Sequence, residues 1–188
     1  MRRLETQLPD ILLIEQPVFV DERGFFQETY RENALSELGV DDHFVQDNHS
    51  RSTRGVLRGM HYSVGAGQAK LVRCARGRIH DVAVDLRRDS PAFGRWEAFE
   101  LDDANGRMLY LPIGFAHGFL VLSDVADVTY KCSSYYDGEL ERGFAYDDPD
   151  VGIEWPVDDP VVSDRDRAAP SFAEIREELP FTLGAATR

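Results

Sequence analysis

From Phe44 to Cys132 the chain is a series of short segments rich in β-branched and aromatic residues, each closed by a turn signal. In order they read FVQ, GVLRGMHYS, AKLVRCA, RIHDVAVDLR, RWEAFELD, RMLYLPIG, HGFLVLS and ADVTYKC. ILLIEQPVFVD and GFFQETY precede them, joined by the turn Asp21-Glu22-Arg23-Gly24. Many short antiparallel strands at turn-sized spacing, with SPAFG and DDANG as connecting chemistry, point to a sandwich or barrel. Within RIHDVAVDLR, Val82, Val84 and Leu86 alternate with Asp81, Ala83 and Asp85, a period of two with one apolar face. Only RENALSELGV (31–40) and SFAEIREEL (171–179) read as helices. One mainly-β domain over residues 1–188 is the expectation, long enough to bury a core.

Charge narrows the partners. The formal charge of −13 repels nucleic acid over most of the surface, and no apolar run approaches the length of a membrane span. MRRLETQLPD has no apolar stretch after its arginines and does not read as a secretory signal. Two cysteines, Cys74 and Cys132, lie in strand-like segments and are expected to be buried free thiols. Together these features suit a cytoplasmic protein.

Against that acidity, residues 55–80 hold Arg58, Lys70, Arg73, Arg76 and Arg78 and no carboxylate. Arg51 and Arg54 extend the window, and the nearest acids in sequence are Asp47 and Asp81. Such a window suits a small anionic ligand held in one local pocket. Lys70 and Lys131 are the only lysines, against nineteen arginines. If Val64-Gly65-Ala66-Gly67 is a hairpin loop, Ser63 pairs with Gln68. His61 then stands directly opposite Lys70, and Arg58 opposite Arg73. A histidine base beside a cation that stabilises the resulting anion is a proton-abstraction site.

PIGFAHGF (112–119) has the pattern Pro-x-Gly-x-x-His, the second half of a cupin signature in which the histidine usually ligates a metal. The first half would supply two more histidines one residue apart and a glutamate. Here it reads Arg58-Gly59-Met60-His61-Tyr62-Ser63, with serine in place of the second histidine. His61 and His117 alone are too few ligands, and His80 reads as structural. No metal is expected.

In order along the chain, DERGFFQE, FVQDNHS, GVLRGMHY, QAKLVR, DVAVDLR, SPAFGRW, LPIGFAHGFLVLS, YKCSSYY and DDPDVGIEWP resemble the dTDP-4-dehydrorhamnose 3,5-epimerase family of the nucleotide-sugar route to dTDP-L-rhamnose. The resemblance runs from about residue 5 to residue 170. It implies a metal-free cupin jelly roll with short peripheral helices. It also implies a homodimer in which an N-terminal arm, about residues 1–30, reaches the partner's site. By the same resemblance His61 is the general base, Asp166 orients it, Tyr130 is the acid on the opposite face of the sugar, and Lys70 is the cation near the C4 carbonyl. Tyr136 matches the aromatic that stacks on thymine. Arg23, Glu28, Gln46, Asn48, Arg58, His117 and Glu141 match positions that hold nucleotide or sugar. Arg165 stands where the family often has lysine.

The implied substrate is dTDP-4-keto-6-deoxy-D-glucose. Its C3 and C5 protons are acidic because the ketone accepts the charge, so a histidine, a cation and a second acid suffice and no cofactor is required. A monofunctional C3- or C5-epimerase of a deoxysugar pathway is the nearest alternative. A metal-dependent cupin enzyme and a non-catalytic sugar-nucleotide-binding module are more distant ones.

Overall fold

The computed structural model describes residues 1–184; the end of the expected 1–188 domain, residues 185–188, lies outside them. The strand-like segments form β1 (Arg2–Leu4), β2 (Leu12–Glu15), β3 (Phe19–Asp21) and β4 (Gly24–Phe26), then α1 (Glu32–Ser36). There follow β5 (Gln46–Thr53), β6 (Leu57–Ser63), β7 (Lys70–Arg76), β8 (Arg78–Asp85), β9 (Trp96–Asp102) and β10 (Arg107–Leu111). The chain continues with β11 (Phe115–Val121), β12 (Val125–Cys132), β13 (Glu141–Gly143), α2 (Asp164–Arg167) and α3 (Phe172–Ile175).

Two antiparallel sheets face each other as a cupin-type jelly roll. One has the order β1-β2-β10-β7-β12-β5 and the other β13-β6-β11-β8-β9, while β3 and β4 form a separate two-stranded ribbon. Alternation along each strand puts one set of side chains between the sheets and the other outside. Val72, Cys74, Leu109, Val128, Phe115, Phe119 and Ala83 fill the interior. Leu35 and Val40 cover the outer side of the larger sheet against Leu12, Ile14, Leu71 and Met108. The C-terminal segment covers the smaller sheet's outer side with Phe144, Phe172, Leu179 and Phe181.

β8 shows why its apolar face is only half of its story. Val82, Val84 and Leu86 pack under the C-terminal segment, outside the sandwich. Their alternates Asp81, Ala83 and Asp85 are also fully buried, and they face the interior. Both cysteines are free and buried, as expected. The helix expected over 171–179 is confined to Phe172–Ile175, held by a capping box between Ser171 and Glu174. Beyond it the chain leaves the helix, and Leu179 and Phe181 join the same apolar cluster.

The hairpin register expected around VGAG is corrected. β6 pairs with β11 and β13, whereas β7 pairs with β10 and β12. The loop carries the chain from one sheet to the other, a jelly-roll crossing, so His61 and Lys70 are not cross-strand neighbours. Arg58 and Arg73 do not face each other either: Arg73 lines a cavity of about 400 Å³ with Leu71, Met108 and Thr129, on the outer side of the larger sheet.

Candidate active site

Between the sheets opens a cleft of about 540 Å³. His61, Lys70, Tyr130, Asp166, Arg58, His117, Tyr136, Glu141 and Arg165 all line it, nine of the thirteen residues expected from sequence. Each sheet contributes its inward row, which in β6 crosses a register shift between Arg58 and His61. β6 and β11 supply Arg58, His61 and His117 from one side; β7 and β12 supply Lys70 and Tyr130 from the other.

His61 and Asp166 form the central pair. The imidazole Nε2 lies 2.7 Å from Asp166 Oδ1. Asp166 reaches this position through α2, a single turn that the sequence reading did not register. Ser163 starts it, its hydroxyl accepting from the Asp166 amide at 3.1 Å. Burial by itself would raise the Asp166 carboxyl. Hydrogen bonds and charge from His61, with the Gly59 amide and Ser163, outweigh it and hold the pKa below the usual value. With Nε2 engaged as a donor, the Nδ1 lone pair is left for the cleft. Glu141 Oε1 stands 4.0 Å from that Nδ1 and 3.2 Å from Arg165 Nη1.

Across the cleft, the Lys70 ammonium lies 5.8 Å from the centre of the Tyr130 ring. Burial lowers the pKa of Lys70, opposed by the charges of Cys132, Glu141 and Asp81. Burial likewise raises the Tyr130 phenol, and Cys132 and Glu141 add to it against the Asn48 hydrogen bond and the Arg58 charge. Tyr130 therefore keeps its phenolic proton at neutral pH.

Gln46 and Asn48 are not among the residues that line the cleft; they stand on β5 opposite Cys132 and Tyr130, and Asn48 lines the cavity of about 400 Å³. Gln46 donates to Asn48 at 3.0 Å and accepts from the Tyr136 amide at 2.8 Å, so it steadies the loop that presents the exposed Tyr136 ring. Arg23 and Glu28 are not brought to this cleft. Arg23 pairs with Asp21 on the exposed ribbon, and Glu28 bonds Arg31 at 2.7 Å. Two groups were missed. Ser52 accepts from Arg58 Nε at 3.0 Å, and Asp81, 0% exposed, meets His117 Nε2 at 2.9 and 3.0 Å. An alternation that set aspartates opposite valines was the available signal for Asp81.

The seven cations of the window part in space: Arg73 lines the outer cavity and Arg76 is exposed. Arg51, Arg54 and Arg78 are neutralised in space by Asp127, Asp124 and Glu100. Lys131 bonds Asp47 at 2.9 Å on the outer side. Arg58 and Lys70 are the cations the cleft keeps. His80 packs edge-on against Trp155, 5.9 Å between centroids, in keeping with a structural role. Among the described residues no group of three or more His, Cys, Asp or Glu converges as a metal site. None of the described helices is long and apolar enough to cross a membrane.

A family model described as dTDP-4-dehydrorhamnose 3,5-epimerase matches residues 5–174. The dTDP-4-dehydrorhamnose 3,5-epimerase of Shigella flexneri is 48% identical over 176 residues, covering 93% of this chain and 97% of that one. A crystal structure of dTDP-6-deoxy-D-glucose-3,5-epimerase from Legionella pneumophila Philadelphia 1, in complex with dTDP-4-keto-L-rhamnose, superposes with a TM-score of 0.92 at 45% identity. The match covers 96% of this chain and 97% of that one. ChmJ, a 3'-monoepimerase from Streptomyces bikiniensis in complex with dTDP-quinovose, gives a TM-score of 0.89 at 39% identity, over 96% of this chain and 93% of that one.

Proposed function

The chain belongs to the dTDP-4-dehydrorhamnose 3,5-epimerase family, and we propose that it inverts C3 and C5 of dTDP-4-keto-6-deoxy-D-glucose to give dTDP-4-keto-L-rhamnose. The observation that carries this reading is one cleft holding a histidine tied to a buried carboxylate, with a lysine and a tyrosine on the opposite wall. His61 Nδ1 takes the proton from a ring carbon beside the ketone. The C–H electron pair moves into the ring as an enolate, and the ketone oxygen takes the charge. Lys70 stabilises that oxygen, a contribution of about 3–4 kcal/mol for a well-placed donor. Tyr130 then protonates the same carbon from the other face, which inverts it. His61 is left with one proton more and Tyr130 with one fewer, and exchange with water resets both before the next inversion. Asp166 holds the tautomer that frees Nδ1 and supports the imidazolium.

Arg58, exposed at the mouth with only its Nε committed, suits the diphosphate oxygens. Tyr136 suits a stacked thymine. His117, Glu141 and Arg165 line the space for sugar and nucleotide, and Gln46 and Asn48 stand on the strand beside Tyr130. Arg23 and Glu28 lie on an arm whose Phe19, Val20, Phe25 and Phe26 are all exposed. A homodimer that exchanges this arm would cover those side chains and bring Arg23 and Glu28 to the second copy's cleft.

The test is proton NMR of the keto-sugar nucleotide in D2O with the purified protein. Loss of both H3 and H5 signals, abolished by His61→Ala, supports double inversion. The likeness to the 3'-monoepimerase ChmJ favours one second reading, inversion at C3 alone, which predicts loss of a single signal. Retention of both signals would sink the epimerase reading.

A further inference from the structure

Beside Tyr130 runs a chain of side-chain amides whose polarity is fixed at one end. The Tyr136 backbone N–H can only donate, and it donates to Gln46 Oε1 at 2.8 Å. With Oε1 facing Tyr136, it is the NH2 of Gln46 that faces Asn48, donating to Oδ1 at 3.0 Å. That commits the Asn48 carbonyl and turns its own NH2 the other way. There it donates to Cys132 Sγ at 3.6 Å and hydrogen-bonds the Tyr130 phenol. Asn48 and Tyr130 are direct register partners on β5 and β12, so both side chains leave the same face of the sheet, with Cβ atoms about 4.5–5.5 Å apart. Tyr130 lines the cleft, whereas Gln46 and Asn48 are not among the residues that do. Their route to the reaction runs through the phenol.

Resting on the epimerase reading above, we propose that Asn48 is a positioning residue that aims the acid, and that Gln46 sets its amide. An NH2 presented to the phenol oxygen occupies a lone pair there. The phenol's own hydrogen is then left for the cleft and the carbon it reprotonates. In that step the Tyr130 O–H bond breaks and the new C–H bond forms, while the Asn48 N–H bonds stay intact. The NH2 meets the charge that develops on the phenolate oxygen, a hydrogen bond that strengthens along the step. An amide turned round would present its carbonyl instead and draw the O–H back toward β5. The Tyr136 N–H holds Gln46 in the sense that forbids this turn, so the loop carrying the exposed Tyr136 ring and the acid share one hydrogen-bonded chain.

The experiment compares N48D, Q46E, Y130F and N48D/Y130F with the wild type in D2O, following deuterium in unreacted substrate and in product by NMR and mass spectrometry. N48D keeps the shape but sets an acceptor against the phenol. Q46E no longer donates to Asn48, which then turns its carbonyl to the phenol. Both should lower product formation about 10–100-fold, while exchange into unreacted substrate stays within about threefold of the wild type and KM barely moves. Because the amide acts through the phenol, N48D/Y130F should be no slower than Y130F. The added carboxylate alone does not give this pattern, since repulsion of the enolate slows exchange and product alike. Equal losses of exchange and product overturn the proposal, as do additive losses in the double variant. A raised KM with the partition unchanged also overturns it and makes Asn48 a ligand contact. A substrate-free readout stands beside the kinetics. The Asn48 side-chain NH2 resonances, assigned by through-bond correlation, should shift in Y130F and in Q46E, and their indifference overturns the proposal. If N48D does not fold, those resonances and the Q46E partition decide. The resonances read the same whether or not the wild type exchanges H3 and H5, so failure of the epimerase reading remains distinguishable.

Discussion

A methyl group on Gly59 would lie 2.5 Å from the Cα of Gly118 and 3.0 Å from the carbonyl of His117. β6 and β11 therefore approach backbone to backbone at the point where His61 and His117 stand side by side and the register shifts. Gly59 also has φ of 135°, a conformation that L side chains rarely adopt. Gly59→Ala is thus expected to destabilise the fold by about 3 kcal/mol or more, from overpacking and backbone strain together. Urea unfolding followed by circular dichroism measures this, and an unchanged midpoint would mean the strands can part without cost.

Asp166→Asn keeps the shape of the central pair but removes the charge that favours imidazolium. We expect kcat to fall by about 10²–10⁴ with little change in KM, because the support is needed mainly after the proton has moved. Steady-state kinetics coupled to a downstream reductase would report it. A rise in KM alone would instead make Asp166 a substrate contact.

Tyr130→Phe separates the two halves of an inversion. His61 can still remove a proton and, once exchanged with solvent, return a deuteron to the same face. The variant should therefore carry deuterium into unreacted substrate faster than it forms product, as read by NMR and mass spectrometry in D2O. Product formation at the wild-type rate would exclude the phenol as the acid.

Lys70 places stability and activity in opposition. Its pKa is lowered in the folded state by burial, so the charged form costs stability at neutral pH. That cost is relieved as pH rises through the lowered folded value toward the unfolded one. Lys70→Met should raise Tm by about 2–4 °C, the effect of roughly 1 kcal/mol in a domain of this size. It should also lower kcat by about 10²-fold or more. Calorimetry and D2O exchange check the two halves separately.

The same lowered Lys70 pKa fixes the sign of the alkaline limb. Lys70 loses its charge below the ordinary lysine value, while the Tyr130 phenol keeps its proton above the ordinary tyrosine value. The loss of kcat at high pH should follow Lys70. Lys70→Arg, slower but permanently charged, should move that limb upward. A limb unmoved in the arginine variant would assign it to another group.

Much of the strand order follows from local sequence, because period-two patterning and turn residues act over a few neighbours. Val82, Val84 and Leu86 are apolar on one face in any fold that makes RIHDVAVDLR a strand. Motif identity also travels with the sequence, which is why nine of thirteen expected site residues line one cleft. What local pattern cannot carry is which sheet a strand joins. His61 and Lys70, nine positions apart, read as hairpin partners, yet the Val64–Gly67 loop takes β7 to the opposite sheet, and the two face each other across the space a sugar would occupy. Nor can it carry the pairing of distant charges. Arg51, Arg54 and Arg78 find carboxylates far along the chain, and Asp81 turns inward to His117. Sequence by itself determined the strands, the turns and the reactive side chains, since those depend on steric and hydrophobic preferences of adjacent residues. Tertiary structure alone decided which charges were cancelled and which were left facing the cleft, since Coulomb energy depends on distance in space.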